Sequence, residues 1–491
     1  MSVYDNYEMT IGIECHVQLA TKTKLFSAAD NDSRFAEPNS NVSPIDYGLP
    51  GMLPVLNHHA VELAVKAGKA LGSTINLVSS FDRKHYFYPD LPKGYQTTQM
   101  YRPIIGPGVV EAPLDDGSVV AVRIHHAHME EDAGKLTHHG DYSLVDLNRA
   151  GTPLIEIVSE PDIHSAAQAR AYAVELYRRM TYAGVTHGDL YHGNMRFDVN
   201  ISVAKKGAQG LGKRTEIKNL NSFRSVERAA EYEFRRQVDL LEAGQAVVQE
   251  TRGWNDATGK TTSQRSKEEA QDYRYMPEPD LPPIRLTEEQ VKKEREAMPL
   301  LPADYRNTLG MIISQDILEI LLDYKQLVDR LADLKTEYDI HGIDKETSKA
   351  AILKISNLFT SVLLAEENSS LLNDPMPSVK QLMDLSSMIA KNELSSTSVK
   401  EVFLRFFTPE MRFKETRAIA KELNLIQEND LGAVEKIVDE VLADPNNAQA
   451  VADFKAGSEK VLGFLVGQVM KASRGKANPS MAQEILRKKL Q

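Results

Sequence analysis

The chain has 491 residues, 42% of them hydrophobic and 26% charged, an ordinary globular mixture long enough for about three domains. Its formal net charge of −11 excludes a protein-wide attraction to nucleic acid or anionic lipid, so any nucleic-acid site must be a local basic patch. The single cysteine, Cys15, excludes an internal disulfide, and the sequence shows neither a signal-peptide pattern nor an apolar run long enough to span a bilayer, so we expect a cytoplasmic protein.

Up to about residue 281 the sequence predicts an α/β region rich in strands. Apolar residues recur at every second position in short segments separated by turn clusters. The predicted strands cover residues 11–17, 119–125, 154–159, 196–203 and 215–220. Helical periodicity predicts helices at residues 61–68 and from Val226 to about Glu242, with Gly244 as the stop of the second helix.

The rest of the sequence changes to helical character. Four prolines within residues 276–283 cannot continue a helix or join a central strand, so this segment is predicted to be an extended connector. From about Thr287 the periodicity is almost wholly helical, and a last subregion with an apolar stripe at residues 434–442 starts near Pro409. We therefore predict an α+β domain at residues 1–293, an all-α domain at residues 294–408 and a helical tail at residues 409–491.

The first predicted strand has one polar face. Alternation in residues 11–17 places the apolar side chains on one side and Glu14 and His16 on the other. A carboxylate next to an imidazole is able to hold a divalent cation. These two residues alone favour the simpler alternative, the solvent-facing side of an edge strand.

Later strands repeat the pattern. Glu130, Glu131 and Asp132 stand together and repel one another unless a cation or a basic group neutralises them. Glu156 lies inside an otherwise apolar strand, where an unpaired charge is costly. Two further strands carry polar faces, formed by Arg196, Asp198, Asn200 and Ser202 and by Glu216 and Lys218.

Together these faces predict a sheet with one wet, functional side. Oxygen ligands with one imidazole suit Mg²⁺ or Mn²⁺ better than zinc, and protein-bound magnesium usually also binds nucleotide phosphates. The candidate catalytic residues and magnesium ligands are Glu14, His16, Glu130, Glu131 and Glu156, with Asp198 close by. Whether Glu130 or Glu131 binds the metal is left open.

Three other motifs resemble functional sites but lack what those sites need. Residues 207–214 almost spell a phosphate-binding loop, yet Arg214 replaces the required Ser or Thr and a strand follows, which favours a hairpin loop. Cys15 and His16 are neighbours on a strand and therefore point to opposite faces. The spacing of five histidines matches no standard zinc pattern and favours solvated side chains: His125, His126, His128, His138 and His139.

Long motifs occur in a fixed order along the chain. They cover residues 11–19 (IGIECHVQL), 48–57 (GLPGMLPVLN), 130–135 (EEDAGK), 148–156 (NRAGTPLIE), 216–224 (EIKNLNSFR), 265–270 (RSKEEA) and 272–283 (DYRYMPEPDLPP). This series resembles the B subunit of the glutamyl/aspartyl-tRNA amidotransferase. The resemblance weakens at about residues 298–346 and returns around residues 355–407 and 475–479.

The resemblance implies a function. The B subunit of this family uses ATP and Mg²⁺ to phosphorylate the side-chain carboxylate of Glu-tRNA(Gln) or Asp-tRNA(Asn), and ammonia then displaces the phosphate. The A subunit is an amidase (glutaminase) that releases the ammonia from glutamine, and a small C subunit holds the two larger ones together. The first domain is then expected to be a catalytic domain similar in fold to glutamine synthetase and guanidino kinases.

The motifs also imply contacts to ATP or substrate. Arg196, Lys218, Arg265 and Lys267 are basic residues inside the most specific motifs, and arginine forks suit phosphate oxygens. The alternative for each is a salt bridge to a neighbouring carboxylate. The full candidate set for ATP and substrate is Asn148, Arg196, Asp198, Lys218, Asn219, Arg265 and Lys267.

The tail is locally basic, with eight basic and two acidic residues between positions 455 and 491. In the family this tail grips the tRNA body. The expected tRNA-binding residues are Lys471, Arg474, Lys476, Arg487, Lys488 and Lys489. The alternative for the last three is that they only complement the dipole at a helix C-terminus.

One departure from the family concerns zinc. Many members carry two cysteine pairs that form a zinc knuckle, whereas this chain has Phe26, Ser27, Ala28 and Ala29 at the first place and Ser43, Pro44, Ile45 and Asp46 at the second. Without thiolates, no zinc is expected.

Two other classes of function stay open on the sequence alone. A stand-alone carboxylate–amine ligase for a small metabolite would use the same polar sheet but would leave the long helical region without a purpose. A non-catalytic scaffold or RNA-binding protein would not need the complete acidic set that this chain retains. The sequence does not decide between Glu-tRNA and Asp-tRNA as substrate.

Overall fold

The computed structural model describes residues 2–266, 272–427, 431–473 and 477–490. The chain forms two compact units, Met1–Pro302 and Ala303–Gln491. Within the described parts, no single helix has the length and apolar composition to cross a membrane, although the bent pair Lys345–Leu363 and Glu366–Asn373 meets both criteria taken together.

The first unit is built on an eight-stranded sheet with the order β13-β12-β11-β10-β1-β9-β6-β5. The strands are β1 (Tyr7–Gln18), β2 (Val78–Ser79), β3 (Asp82–His85), β4 (Tyr95–Thr98), β5 (Gly108–Pro113), β6 (Val119–Glu131), β7 (Lys135–His139), β8 (Tyr142–Asp146), β9 (Pro153–Ser159), β10 (Met195–Lys205), β11 (Thr215–Leu220), β12 (Glu250–Asn255), β13 (Lys260–Ser266), β14 (Met276–Pro277) and β15 (Ile284–Arg285). All five strands predicted from alternation are present, and most extend beyond their predicted ends.

The helices are α1 (His58–Ala70), α2 (Ala166–Tyr182), α3 (Phe223–Glu242), α4 (Glu288–Glu296), α5 (Pro302–Leu309), α6 (Gln315–Leu321), α7 (Lys325–Ile340), α8 (Lys345–Leu358), α9 (Val379–Ala390), α10 (Ser396–Arg405), α11 (Thr416–Glu422), α12 (Leu431–Ala443), α13 (Ala448–Lys455), α14 (Val461–Ala472) and α15 (Pro479–Leu490). Helix α3 begins earlier than predicted because the Ser222 side chain accepts a hydrogen bond from the Ser225 amide, which caps the first turn.

Strand β1 lies in the middle of the large sheet, hydrogen-bonded to β10 on one side and β9 on the other. The interpretation of its polar face as the exposed side of an edge strand is therefore wrong. Its odd-numbered apolar residues, including Cys15, are buried in the core that helices α1, α2 and α3 share. Because the helices cover the apolar face, the opposite face is left for the polar side chains.

A small three-stranded sheet, ordered β14-β3-β4, stands beside the large one. The proline-rich segment forms part of it: Pro277 pairs with Asp82, and Glu278 is buried against the Arg83 guanidinium at 2.8 Å. Leu281 then enters the core of the first unit. The segment is extended as predicted, but it packs within the first unit instead of acting as a free spacer.

In the described residues of the second unit, helices are the only extended regular elements, with one isolated bridge between Leu394 and Ile426. Helix α12 and the helices after it share a hydrophobic cluster whose buried members lie between Val434 and Leu490. Residues 409–427 pack elsewhere in this unit, since Gln381 of α9 donates to the carbonyls of Arg412 and Lys414. The mixed α/β unit followed by a helical region agrees with the expected class, while the three domain limits remain a prediction.

Candidate active site

The polar face of the large sheet brings His16, Glu130 and Glu156 together. His16 stands directly opposite Glu156 in the pairing of β1 with β9. Its Nε2 atom lies 3.6 Å from Glu156 Oε2 and 3.7 Å from Glu130 Oε1. One potential ligand atom from each residue lies within 4.8 Å of the others, which is a spacing that a single cation can bridge.

His128 joins this group, and the interpretation of it as a solvated histidine is wrong. It is buried, stands opposite Glu156 on β6, and its Nε2 atom lies 3.4 Å from Glu156 and 3.7 Å from Glu130. The predicted strand ends at His125, but β6 continues to Glu131, so His128 and Glu130 share a face. A β-bulge between Ile124 and His126 shifts the alternation by one residue, so strict alternation from Val122 and Ile124 would have placed His128 on the apolar face.

The two histidines and the carboxylates shift one another's pKa. Burial lowers the pKa of His16, but the hydrogen bond and charge of Glu156 outweigh burial and raise it to about 9. Burial lowers the pKa of His128 in the same way, and Glu156 and Glu130 raise it to about 10. Burial raises the pKa of Glu156, but His128 and His16 hold it well below its usual range. Without a bound cation the group is thus held together by charge, and a metal that binds His16 displaces its proton.

A second acidic group adjoins the first and consists of Glu14, Asp198 and Glu216, again with ligand atoms within 4.8 Å. Lys218 sits between two of these residues, with its Nζ 3.0 Å from Asp198 and 2.9 Å from Glu216. Asn200 donates to Glu14 at 3.0 Å. Burial, and then the charges of Glu156 and Glu216, raise the pKa of Glu14.

Asn219 and Arg196 border the two groups in different ways. The Asn219 backbone amide donates to Asp198 at 2.8 Å, and its φ of 60° is a left-handed value that asparagine tolerates. Its side chain is exposed. Arg196 donates to Asp132 at 2.8 Å, so its guanidinium lies in an ion pair at the edge of the acidic face.

Two predicted site residues point away from the acidic groups. Glu131 forms a buried ion pair with Lys93 and accepts the Thr97 amide at 2.9 Å, because neighbouring residues of a strand face opposite sides. Asn148 is buried in a loop contact, where it accepts the Asn41 amide at 2.8 Å and donates to a backbone carbonyl at 2.7 Å. The structure therefore joins Glu130, and not Glu131, to His16.

Several predicted residues lie partly or wholly outside the described structure. Lys267, Arg474 and Lys476 are outside the described residues, and Arg265 is described only by its backbone position on β13. In the tail, Lys471 and Lys488 are exposed, whereas Arg487 pairs with Glu459 at 3.4 Å and Lys489 pairs with Glu435 and Asp439 at 2.8 and 2.7 Å.

Lys84 is a site residue that the sequence did not reveal, because the short strand β3 lacks a clear alternating pattern. Its ammonium lies 4.9 Å from the centre of the Tyr273 ring. Burial lowers the pKa of Lys84, but the charges of Glu130 and Glu156 outweigh it and raise the pKa. Among the described side chains no carboxylate oxygen lies within ion-pair distance of Lys84, which leaves a cation facing the acidic groups.

A pocket of about 250 Å³ lies at the other end of the same face. Glu14 and Asn200 line its inner end, and Arg214 lies at the loop that closes it. This loop, residues 207–214, joins the antiparallel strands β10 and β11, which confirms the predicted hairpin and rules out a phosphate-binding loop that opens a helix. Strand β1 therefore contributes Thr10 to the pocket, Glu14 to both the pocket and the second acidic group, and His16 to the first acidic group.

Comparison with known proteins finds two family models. The model described as "GatB/GatE catalytic domain" matches residues 9–292, and the one described as "GatB domain" matches residues 344–490. The chain is 44% identical over 489 residues to the B subunit of the aspartyl/glutamyl-tRNA(Asn/Gln) amidotransferase of Persephonella marina, covering 99% of both chains. It is 45% identical over 499 residues to the protein of that name from Alcanivorax borkumensis, covering 99% of this chain and 100% of that one.

Proposed function

The chain belongs to the GatB/GatE family, among the B subunits of the aspartyl/glutamyl-tRNA(Asn/Gln) amidotransferases, and from this premise we propose how its residues act. It is a ligase subunit that serves protein biosynthesis through ATP-dependent formation of Gln-tRNA(Gln) or Asn-tRNA(Asn).

We propose that the side-chain carboxylate of the tRNA-bound amino acid attacks the γ-phosphorus of ATP, so that ADP leaves and an acyl phosphate forms. Ammonia then attacks the acyl carbon, phosphate leaves, and one proton is lost to give the amide. A carboxylate is a poor electrophile, and phosphorylation supplies the leaving group that it lacks. Positioning and neutralisation of phosphoryl charge are the main tasks of the protein in such a transfer.

The convergence of His16, Glu130 and Glu156 on one sheet face carries this proposal. Three ligating side chains with carboxylate oxygens and one imidazole fit Mg²⁺, which when bound neutralises phosphoryl oxygens. Lys218 on this face and Lys84 on the neighbouring small sheet add positive charge beside the acidic groups. The pocket at the Glu14 end has room for the nucleoside end of ATP, so that its phosphates extend toward His16.

The remaining assignments are part of the same proposal. Arg196, Arg265 and Lys267 assist in binding ATP or the acyl phosphate, and residues 409–491 bind the tRNA body. An amidase, the A subunit, supplies ammonia, and the complex is completed by a small C subunit. The catalytic unit shares the fold of glutamine synthetase and guanidino kinases, which also transfer phosphoryl groups.

One comparison tests the proposal. Phosphate release from ATP is measured with the assembled complex alone, with free glutamate and ammonia, with Glu-tRNA(Gln) and with Asp-tRNA(Asn). We expect turnover only with a misacylated tRNA, and the two tRNAs together establish which is used. Equal turnover with free glutamate would instead support a ligase for small metabolites, and no turnover in any mixture would support a non-catalytic protein.

A further inference from the structure

Three tyrosines form a wall beside the acidic groups. Tyr86 follows β3, while Tyr273 and Tyr275 come from the segment that precedes β14. The Tyr86 and Tyr273 rings meet edge to face with centroids 6.1 Å apart, and Tyr273 meets Tyr275 at the same distance. The His85 amide donates to the Tyr273 carbonyl at 2.9 Å, which fixes the two segments side by side.

The wall borders the proposed reaction site. Strand β4, which pairs with β3, contacts the end of β6 where Glu130 lies: Gln96 donates to the Glu131 carbonyl at 2.8 Å and Thr98 donates to Glu130 at 3.5 Å. The Lys84 ammonium lies 4.9 Å from the Tyr273 ring centre, and the charges of Glu130 and Glu156 act on the same ammonium. The wall thus lies next to the acidic groups.

The wall is not an ordinary piece of core. Its three side chains are only partly buried, and in the described structure none of their hydroxyl groups has a hydrogen-bond partner. The aromatic surface continues outward through Phe87 and Tyr88, which are 75% and 56% exposed. Large aromatic side chains exposed in a row are typical of binding surfaces.

The substrate has a part that this surface suits. The amino acid is esterified to the ribose of the 3′-terminal adenosine, so the terminal nucleoside must lie close to the reacting carboxylate. The 3′ end of a tRNA is single-stranded, and proteins hold unpaired bases mainly by stacking them on aromatic side chains. We propose that Tyr86, Tyr273 and Tyr275 receive the 3′-terminal adenosine of the aminoacyl-tRNA, and that Phe87 and Tyr88 contact the nucleotide before it. This proposal rests on the function proposed above.

A fluorescent base tests the contact without any catalysis. A tRNA with 2-aminopurine in place of its 3′-terminal adenine is titrated into the full-length chain, because stacking on an aromatic ring quenches this base. We expect quenching with the wild type and with Tyr273→Phe, which keeps the ring. Tyr273→Leu removes the ring and should weaken binding by about 5- to 160-fold, the range found for loss of one stacked base.

Kinetics of the assembled complex provide the second arm. Tyr273→Leu and Tyr86→Leu should raise the KM for misacylated tRNA and leave the KM for ATP unchanged. The matched control is Tyr142→Leu, which removes an exposed tyrosine from β8 and should change neither constant. The proposal is overturned if the wild type shows no quenching or if Tyr273→Leu quenches as strongly as the wild type. It is also overturned if the KM for misacylated tRNA rises in Phe35→Leu, which changes a separate exposed aromatic residue, and not in the tyrosine variants. Normal quenching without ATP turnover would reject the proposed function but leave the stacking site standing.

Discussion

Glu156 stands directly opposite His16 across strands β1 and β9, with 3.6 Å between its Oε2 atom and His16 Nε2. On its other side the same carboxylate faces His128 at 3.4 Å. Glu156 is therefore the centre of the acidic face, and His16 is the imidazole ligand that the proposed metal site depends on.

Replacing His16 tests this arrangement most directly. His16→Ala removes one of three converging ligands, so we expect tRNA-dependent ATP cleavage to fall by more than about 100-fold. The fold should persist because the His16 side chain is not part of the apolar core. Phosphate release at saturating magnesium measures the first effect and circular dichroism the second. His59→Ala, an exposed histidine on α1, is the control, and wild-type turnover in His16→Ala would refute the metal assignment.

Glu130 and Glu131 offer a matched pair on adjacent positions. Glu130→Gln should abolish turnover with a smaller change in Tm than Glu131→Gln, because Glu156 still pairs with both His16 and His128. Glu131→Gln should instead lower the stability, since it leaves the buried Lys93 ammonium unpaired, and breaking a buried pair costs roughly 3–5 kcal/mol. Thermal unfolding and ATP turnover of both variants separate the roles. An unchanged Tm in Glu131→Gln together with lost activity would return Glu131 to the metal site.

Glu130 and Glu131 show which features of the site can be predicted from the sequence and which cannot. Alternation identifies which residues of one strand share a face, and the structure confirms it for Glu14 and His16. It identifies neither where a strand ends nor where a β-bulge such as the one between Ile124 and His126 shifts the period, so Glu130 and Glu131 stay equivalent and His128 is missed. Nor does it predict which strands are neighbours: the pairing that brings Glu156 between two histidines joins residues far apart in the chain.

Lys218 separates two interpretations of the basic residues. It already pairs with Asp198 and Glu216, and a role in phosphate binding requires that it also reach the nucleotide. We expect Lys218→Ala to raise the KM for ATP and to slow amidation, and Lys218→Arg to restore part of both because it keeps the charge. The two constants are measured by steady-state phosphate release. A Lys218→Ala variant with normal ATP affinity and rate would leave Lys218 a purely structural ion-pair partner.

The purified chain should contain no stoichiometric zinc. The segments around Phe26 and Ser43 hold no thiol, and a buried ion pair joins them instead, with Lys24 Nζ 3.0 Å from Asp46 Oδ2. Elemental analysis measures the zinc directly. One zinc per chain would contradict the prediction and would direct attention to the histidines.

The same ion pair has a stability test with an internal control. Asp46→Asn leaves a fully buried ammonium without its counter-charge and should cost roughly 3–5 kcal/mol of unfolding free energy. The exposed pair Asp32–Arg34, at 2.7 Å, lies in the same region, and Asp32→Asn should cost less than about 1 kcal/mol. Urea unfolding compares the two. Equal effects would mean that Lys24 and Asp46 do not tie these segments together.

Removal of the helical tail tests whether the tail binds tRNA. The described residues after Leu431 share their own hydrophobic cluster, whereas residues 409–427 pack against α9, so a cut after Gln427 removes the cluster without exposing α9. We expect this truncation to raise the KM for Glu-tRNA and to leave ATP binding intact, because the acidic face lies wholly in the first unit.

If basic residues of the tail contact tRNA phosphates, the affinity for tRNA should depend on salt concentration. Each phosphate contact that is lost should flatten the log–log dependence of tRNA affinity on salt by roughly 0.9 in duplex regions. Lys471 and Lys488 are exposed, and in the described structure neither forms an ion pair, so Lys471→Ala and Lys488→Ala should each reduce the slope. Lys489 is held by Glu435 and Asp439, which makes Lys489→Ala the matched control with a smaller effect on the slope. Filter binding of Glu-tRNA across a salt series measures all three. An unchanged affinity and slope in the truncated chain would place tRNA recognition outside the tail.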